Sequence, residues 1–137
     1  QTFMNGSGEA VSKIAQFYKV KPLDLWVIHD DVDITLGKLK IRIGGSGAGH
    51  HGVESLIEQL GTDKFLRFRL GIGHPRERRD SEGYQDGGVR MDVETFVIRE
   101  FDINEKTEFK HLIKQTLQAI EVALKDGPQK AMSRYNR

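Results

Sequence analysis

The chain has 137 residues, a length that suits one folded domain with a core of its own. Apolar residues make up 37% and charged ones 30%, and no apolar run approaches the roughly 18 to 20 residues that a bilayer demands, which excludes a membrane-spanning class. The lack of cysteine excludes disulfides, thiol nucleophiles and thiolate metal sites, and a formal net charge of +1 gives the whole chain no bias toward nucleic acid.

The chain opens on Gln1 with no signal-peptide pattern. Ser7 can cap a helix, and Ala10, Val11, Ile14, Ala15 and Tyr18 recur at three-and-four spacing behind it, so that stripe is expected to face a core. Pro22 ends the unit. The continuous apolar run Leu25-Trp26-Val27-Ile28 suits a strand buried on both faces, with His29, Asp30 and Asp31 at its carboxyl end. Residues 38–43 alternate with period two and predict a strand with one wet, basic face.

A glycine-rich stretch, 44–52, then opens a helix whose positions Val53, Leu56, Ile57 and Leu60 share a face and which Gly61 stops. Residues 66–72 alternate again, with apolar side chains expected inward and Arg67 and Arg69 outward. Residues 74–92 are polar and aperiodic, which predicts a loop, and Phe96-Val97-Ile98 is a short apolar piece. From Asn104 a long amphipathic helix carries Phe109, Leu112, Ile113, Leu117, Ile120 and Leu124 as its expected buried stripe. Gly127-Pro128 breaks it, and a short basic helix follows. Strands alternating with helices predict an α/β fold.

Charge is unevenly placed. Lys38, Lys40 and Arg42 alternate in one segment; Lys64, Arg67, Arg69, Arg76, Arg78 and Arg79 crowd another; and Lys130, Arg134 and Arg137 close the chain. Solvated surface is the plain reading of such runs, and a basic face for phosphates is the sharper one.

Three places can carry chemistry. Asp30 follows an apolar strand, where α/β sheets bind ligands and an acid can orient a histidine, although Asp30, Asp31 and Asp33 can equally form a solvated turn. The glycine-rich stretch with His50 and His51 sits at a helix start, whose amides can hold a phosphate or an oxyanion. It lacks the Gly-Lys-Ser/Thr of a Walker loop and does not match the dinucleotide fingerprint. Adjacent histidines at a helix start point apart, with no third ligand in view, so no metal is expected. The third place is Thr2-Phe3-Met4-Asn5: Asn5 can donate to and accept from a peptide amide, and Phe3 can stack on a base or ribose, or the segment can be a plain helix-entry loop. With no cysteine and no Gly-x-Ser-x-Gly elbow, a hydrolase built this way would activate water.

In order and in one register, these segments resemble the bacterial peptidyl-tRNA hydrolase family. The matching stretches are Gln1-Thr2-Phe3-Met4-Asn5 with 7–11, Val27-Ile28-His29-Asp30-Asp31-Val32-Asp33, 38–45 with Ala48-Gly49-His50-His51-Gly52, Arg67 to Pro75, and Asp126 to Met132. The resemblance implies a single α/β domain over 1–137, with a mixed sheet flanked by helices. It also implies a cytoplasmic monomer without cofactor or metal, hydrolysis of the ester between peptide and tRNA, and peptidyl-tRNA as partner. Asp30 matches the aspartate that supports a catalytic histidine. Asn5, with Met4 beside it, matches an asparagine that positions water and peptide. Phe3, His50 and His51 match substrate-binding positions, and Lys40, Arg42, Lys130 and Arg134 lie where the family presents cations to tRNA.

Two departures follow. His51 stands where the family has asparagine. The family's opening strand, its Gly-x-Gly-Asn-Pro-Gly segment and the Arg-His-Asn motif that holds the base match nothing here, and none of the five histidines takes the base position. The expectation is therefore an N-terminally truncated domain, inactive by itself. The alternative is a catalytically inactive RNA-binding paralogue of the same fold.

Overall fold

The computed structural model describes residues 3–74 and 103–137, apart from the side chains of Asn5 and Ile103. Thr2, the loop expected beyond His74, the apolar piece at 96–98 and the cations Arg76, Arg78 and Arg79 lie outside the described residues.

A 3₁₀ turn over Met4–Gly6 leads into α1 (Ser7–Phe17), and a second over Pro22–Asp24 leads into β1 (Trp26–Asp31). Then come β2 (Leu39–Ile43), α2 (His51–Leu60), β3 (Leu66–Gly71), α3 (Ile103–Asp126) and α4 (Pro128–Tyr135). Among the described residues three strands form one sheet in the order β1-β3-β2. The backbone bonds Leu66 N–H to Leu25 O and Ile72 N–H to Asp31 O advance together, so β3 is parallel to β1. Gly44 N–H to Phe65 O and Gly71 N–H to Lys38 O run in opposite senses, so β3 is antiparallel to β2. The sheet is mixed, as expected, and the fold is α/β.

The chain forms two compact units, one of 1–29 with 41–68 and the other of 30–40 with 69–137, and each strand contributes residues to both. In the first unit Val53, Leu56 and Phe65 form the buried centre, with Val11, Leu25, Val27, Ile57 and Leu60 packed on it. Fully burying a side chain such as Val53, Leu56 or Phe65 contributes about 1.5–3 kcal/mol. The α2 stripe is the expected one, and Gly61 closes the helix at φ 70°, a left-handed value that suits a residue without Cβ.

The structure corrects several details. Gly6, not Ser7, is the cap position of α1, and it makes no side-chain bond. The packed face of α1 keeps part of the expected stripe: Ala15 is buried and Val11 packs on the core, but Gly8 joins them, whereas Ile14 and Tyr18 are 59% and 71% exposed. Small residues let α1 approach α2 closely enough for Gly8 N–H to donate to Ser55 Oγ at 3.0 Å and Ser12 Oγ to Gln59 O at 3.4 Å. β1 is not buried on both faces, since Ile28 is exposed and the buried residue is His29.

In the second unit α3 behaves like α1. Its buried positions are Glu105, Leu112, Thr116, Ala119 and Ala123, while the expected Ile113, Leu117 and Leu124 are exposed. The Thr116 hydroxyl is satisfied inside the helix, donating to Leu112 O at 2.8 Å. Ala131 of α4 is fully buried. No helix among the described residues is long and apolar enough to cross a membrane.

Candidate active site

Phe3, Met4, Asn5, Arg42, His50 and His51 belong to the first unit, and Asp30, Lys40, Lys130 and Arg134 to the second.

In the first unit the sharp chain reversal after β2 depends on glycine. Gly45 has φ 101°, and a Cβ there would stand 2.9 Å from the Arg42 guanidinium carbon, which lies over the loop. The loop ends at His50, the cap residue of α2, whose Nδ1 accepts from Val53 N–H at 3.2 Å. An imidazole that accepts at Nδ1 is neutral and carries its proton on Nε2. Met4 and His50 meet over Gly52: a Cβ at Gly52 would stand 3.0 Å from Met4 Cγ and 3.1 Å from His50 Cε1. The structure thus brings two of the expected substrate residues together, with exposed Phe3 next to Met4 and exposed His51 next to His50.

Three amides of the glycine-rich stretch are already engaged within the chain. Gly45 N–H donates to Asp63 Oδ2 at 2.9 Å, Gly49 N–H to Glu54 Oε1 at 3.0 Å, and His50 N–H to Gly47 O at 2.9 Å. Carboxylates of the chain already occupy two of them. The Gly45 amide holds the Asp63 carboxyl below its ordinary range, with Lys64 adding in the same direction.

Arg67 departs from the place that the alternation of its strand implies. Expected to point outward, it is only 2% exposed. Its Nε donates to His29 Nε2 at 3.1 Å, and its Nη1 donates to Gly45 O at 3.1 Å and Ser46 O at 2.9 Å. The His29 ring meets the His50 ring edge-on, with centroids 5.0 Å apart and planes at 68°.

In the second unit Asp30 is half-buried on β1. Its neighbour Asp31 is structural, accepting from Asp33 N–H and from Arg69 Nε, each at 2.9 Å. Arg69 is therefore an ion-pair partner inside the fold, not the outward cation expected of the alternating strand. Lys40 donates to Asn136 O at 3.0 Å, so its ammonium holds the end of α4. Lys130 and Arg134 are exposed. An open cleft of about 400 Å³ collects Lys38, Arg134, Arg137, Tyr135 and Glu108 on its walls. Among the described residues no cluster of three or more His, Asp or Glu could hold a metal.

A sequence model of the family described as peptidyl-tRNA hydrolase matches residues 1–137. The chain is 38% identical over 137 residues to a peptidyl-tRNA hydrolase of Desulfitobacterium hafniense (strain Y51), covering all of this chain and 68% of that protein. It is 36% identical to one from Synechococcus sp. (strain JA-3-3Ab), covering 99% of this chain and 55% of the relative. A similar structure is the crystal structure of peptidyl-tRNA hydrolase from Acinetobacter baumannii, with TM-score 0.82 and 27% identity, covering 99% of this chain and 63% of that one. The chain thus spans between about half and two thirds of the length of these proteins.

Proposed function

The chain belongs to the peptidyl-tRNA hydrolase family, and from that premise we propose that the protein hydrolyses the ester joining peptide to tRNA, releasing tRNA for reuse. The observation that carries this reading is the family match across residues 1–137, which includes every site segment described above. In the proposed reaction a base draws a proton from water, and the water attacks the ester carbonyl. Asp30 is assigned to orient the base and to stabilise its charged form. His50, protonated at Nε2, would donate to the carbonyl oxygen as charge develops there. One such donor is typically worth about 3 to 4 kcal/mol of barrier. Met4, Asn5, Phe3 and His51 are assigned to the peptide and the terminal nucleoside, and Arg42, Lys130 and Arg134 to phosphates. We place the reaction in the cytoplasm and assign no metal or cofactor to it.

The test is ester cleavage of an N-blocked peptidyl-tRNA by the complete gene product, with Asp30→Asn beside it. Turnover by the wild type and a loss of about 10⁴-fold in the variant, with unchanged tRNA binding, are expected, because removing the orienting acid of a comparable triad costs that much. Tight tRNA binding with no turnover by the wild type would favour the RNA-binding alternative, and near-normal turnover by Asp30→Asn would remove Asp30 from the mechanism.

A further inference from the structure

We infer that Arg67 is a positioning residue for the candidate site, fixing the place of His50 and the tautomer of His29 from beneath the glycine-rich loop. A buried guanidinium is costly to desolvate unless acceptors surround it. Gly45 O, Ser46 O and His29 Nε2 are three such acceptors, all within 3.1 Å. Each does something for the site. The two carbonyls belong to the loop that delivers His50 to the start of α2, so binding them fixes the loop's path from β3. The ring nitrogen belongs to His29, whose ring rests against His50.

Arginine has no acceptor and keeps its charge, so a hydrogen bond from Arg67 leaves His29 only one neutral form, with the lone pair on Nε2 and the proton on Nδ1. His50 is fixed in the opposite form, because Val53 N–H occupies its Nδ1. Two histidines in contact thus hold complementary tautomers, each set by a donor that cannot reverse. If Arg67 is removed, both carbonyls are left without their cation and the His29 ring is released to exchange between its two neutral forms. His50 then loses its support on two sides while keeping its own chemistry.

The kinetic arm of the test rests on the peptidyl-tRNA reading, and the spectroscopic arm does not. Long-range ¹H–¹⁵N spectra of the imidazole rings should show wild-type His29 protonated at Nδ1 and His50 at Nε2. In Arg67→Met the His29 signals should move to a tautomeric average, and Arg67→Lys should restore the Nδ1–H form. For the complete gene product, Arg67→Met should lower kcat about 10²-fold while KM and the Kd for deacylated tRNA stay within about twofold, the pattern of a misplaced group. Arg67→Lys should fall between, since one ammonium cannot reach the ring and both carbonyls together.

A wild-type His29 protonated at Nε2 would overturn the inference, as would wild-type kcat in Arg67→Met. A merely structural role would instead lower kcat and tRNA binding capacity together, with the fraction folded. If the methionine variant does not fold, the lysine variant decides: wild-type kcat with averaged His29 signals would sink the proposal. Absence of any turnover in the wild type would count against the hydrolase reading alone, because the ring spectra would still judge the clamp.

Discussion

Asp63 and Arg67 hold the same glycine-rich loop from opposite ends of its peptide dipoles, one accepting Gly45 N–H and the other donating to Gly45 O and Ser46 O. The pKa of Asp63 is lowered first by that amide and then by Lys64. A carboxyl depressed on folding adds stability that is complete above its unfolded value, about 3.9, and that disappears as pH falls through the lower folded value. Wild-type unfolding free energy should therefore decline with falling pH across that window. Asp63→Asn should flatten part of the slope, which urea titrations at several pH values would measure; identical slopes would show that the Gly45 bond is not maintained in solution. The places of Asp30 at the end of an apolar strand and of His50 at a helix start were legible in the sequence. That of Arg67 was not. In Leu66-Arg67-Phe68-Arg69-Leu70 the alternation puts both arginines on a polar face, and period two says nothing about whether that face meets water or the carbonyls of a loop.

Helix faces were legible only in part, for a physical reason. Periodicity locates large apolar residues, but closely approaching helices meet through small ones. On α1 Gly8 and Ala15 are buried beside Val11, and on α3 Ala119 and Ala123 beside Leu112, while bulkier residues one position around the helix remain exposed. Where the partner leaves room, as on α2, the large residues Val53 and Leu56 are buried as the pattern indicates. Gly8 gives this a measurable consequence. A Cβ there would run into the carbonyl and hydroxyl of Ser55. Gly8→Ala should therefore lower stability by about 1–3 kcal/mol, as overpacking does, despite the gain in helix propensity. Thermal unfolding of the variant checks this, and an unchanged or raised Tm would show that α1 can shift on α2. Ser55→Ala, which removes only the acceptor of the Gly8 amide, should cost less.

For the molecule as a whole the charge map becomes more specific once tied side chains are removed from it. Arg67 and Arg69 are engaged inside the fold and Lys40 holds carbonyls at the end of α4, which leaves Arg42, Lys130 and Arg134 as exposed members of the proposed phosphate-binding set. In the complete gene product, log Kd for tRNA should vary linearly with log salt, and replacing Lys130 and Arg134 together by alanine should reduce the slope by about one for each phosphate no longer neutralised. A slope unchanged in the double variant would remove α4 from the RNA interface. The α/β class was legible from alternating element types, but the strand order was not, because nothing in a strand's own residues names its neighbours. That order carries a consequence for synthesis. Among the described strands the middle one, β3, is the last in the chain, so β1 and β2 leave the ribosome before β3, which pairs with each. At about 5–20 residues per second, the interval before β3 emerges is on the order of a second or more, and through it the edges of β1 and β2 that β3 covers stay open. A nascent chain arrested just short of Leu66 should therefore be the species most readily captured by a holding chaperone and most readily cut by protease.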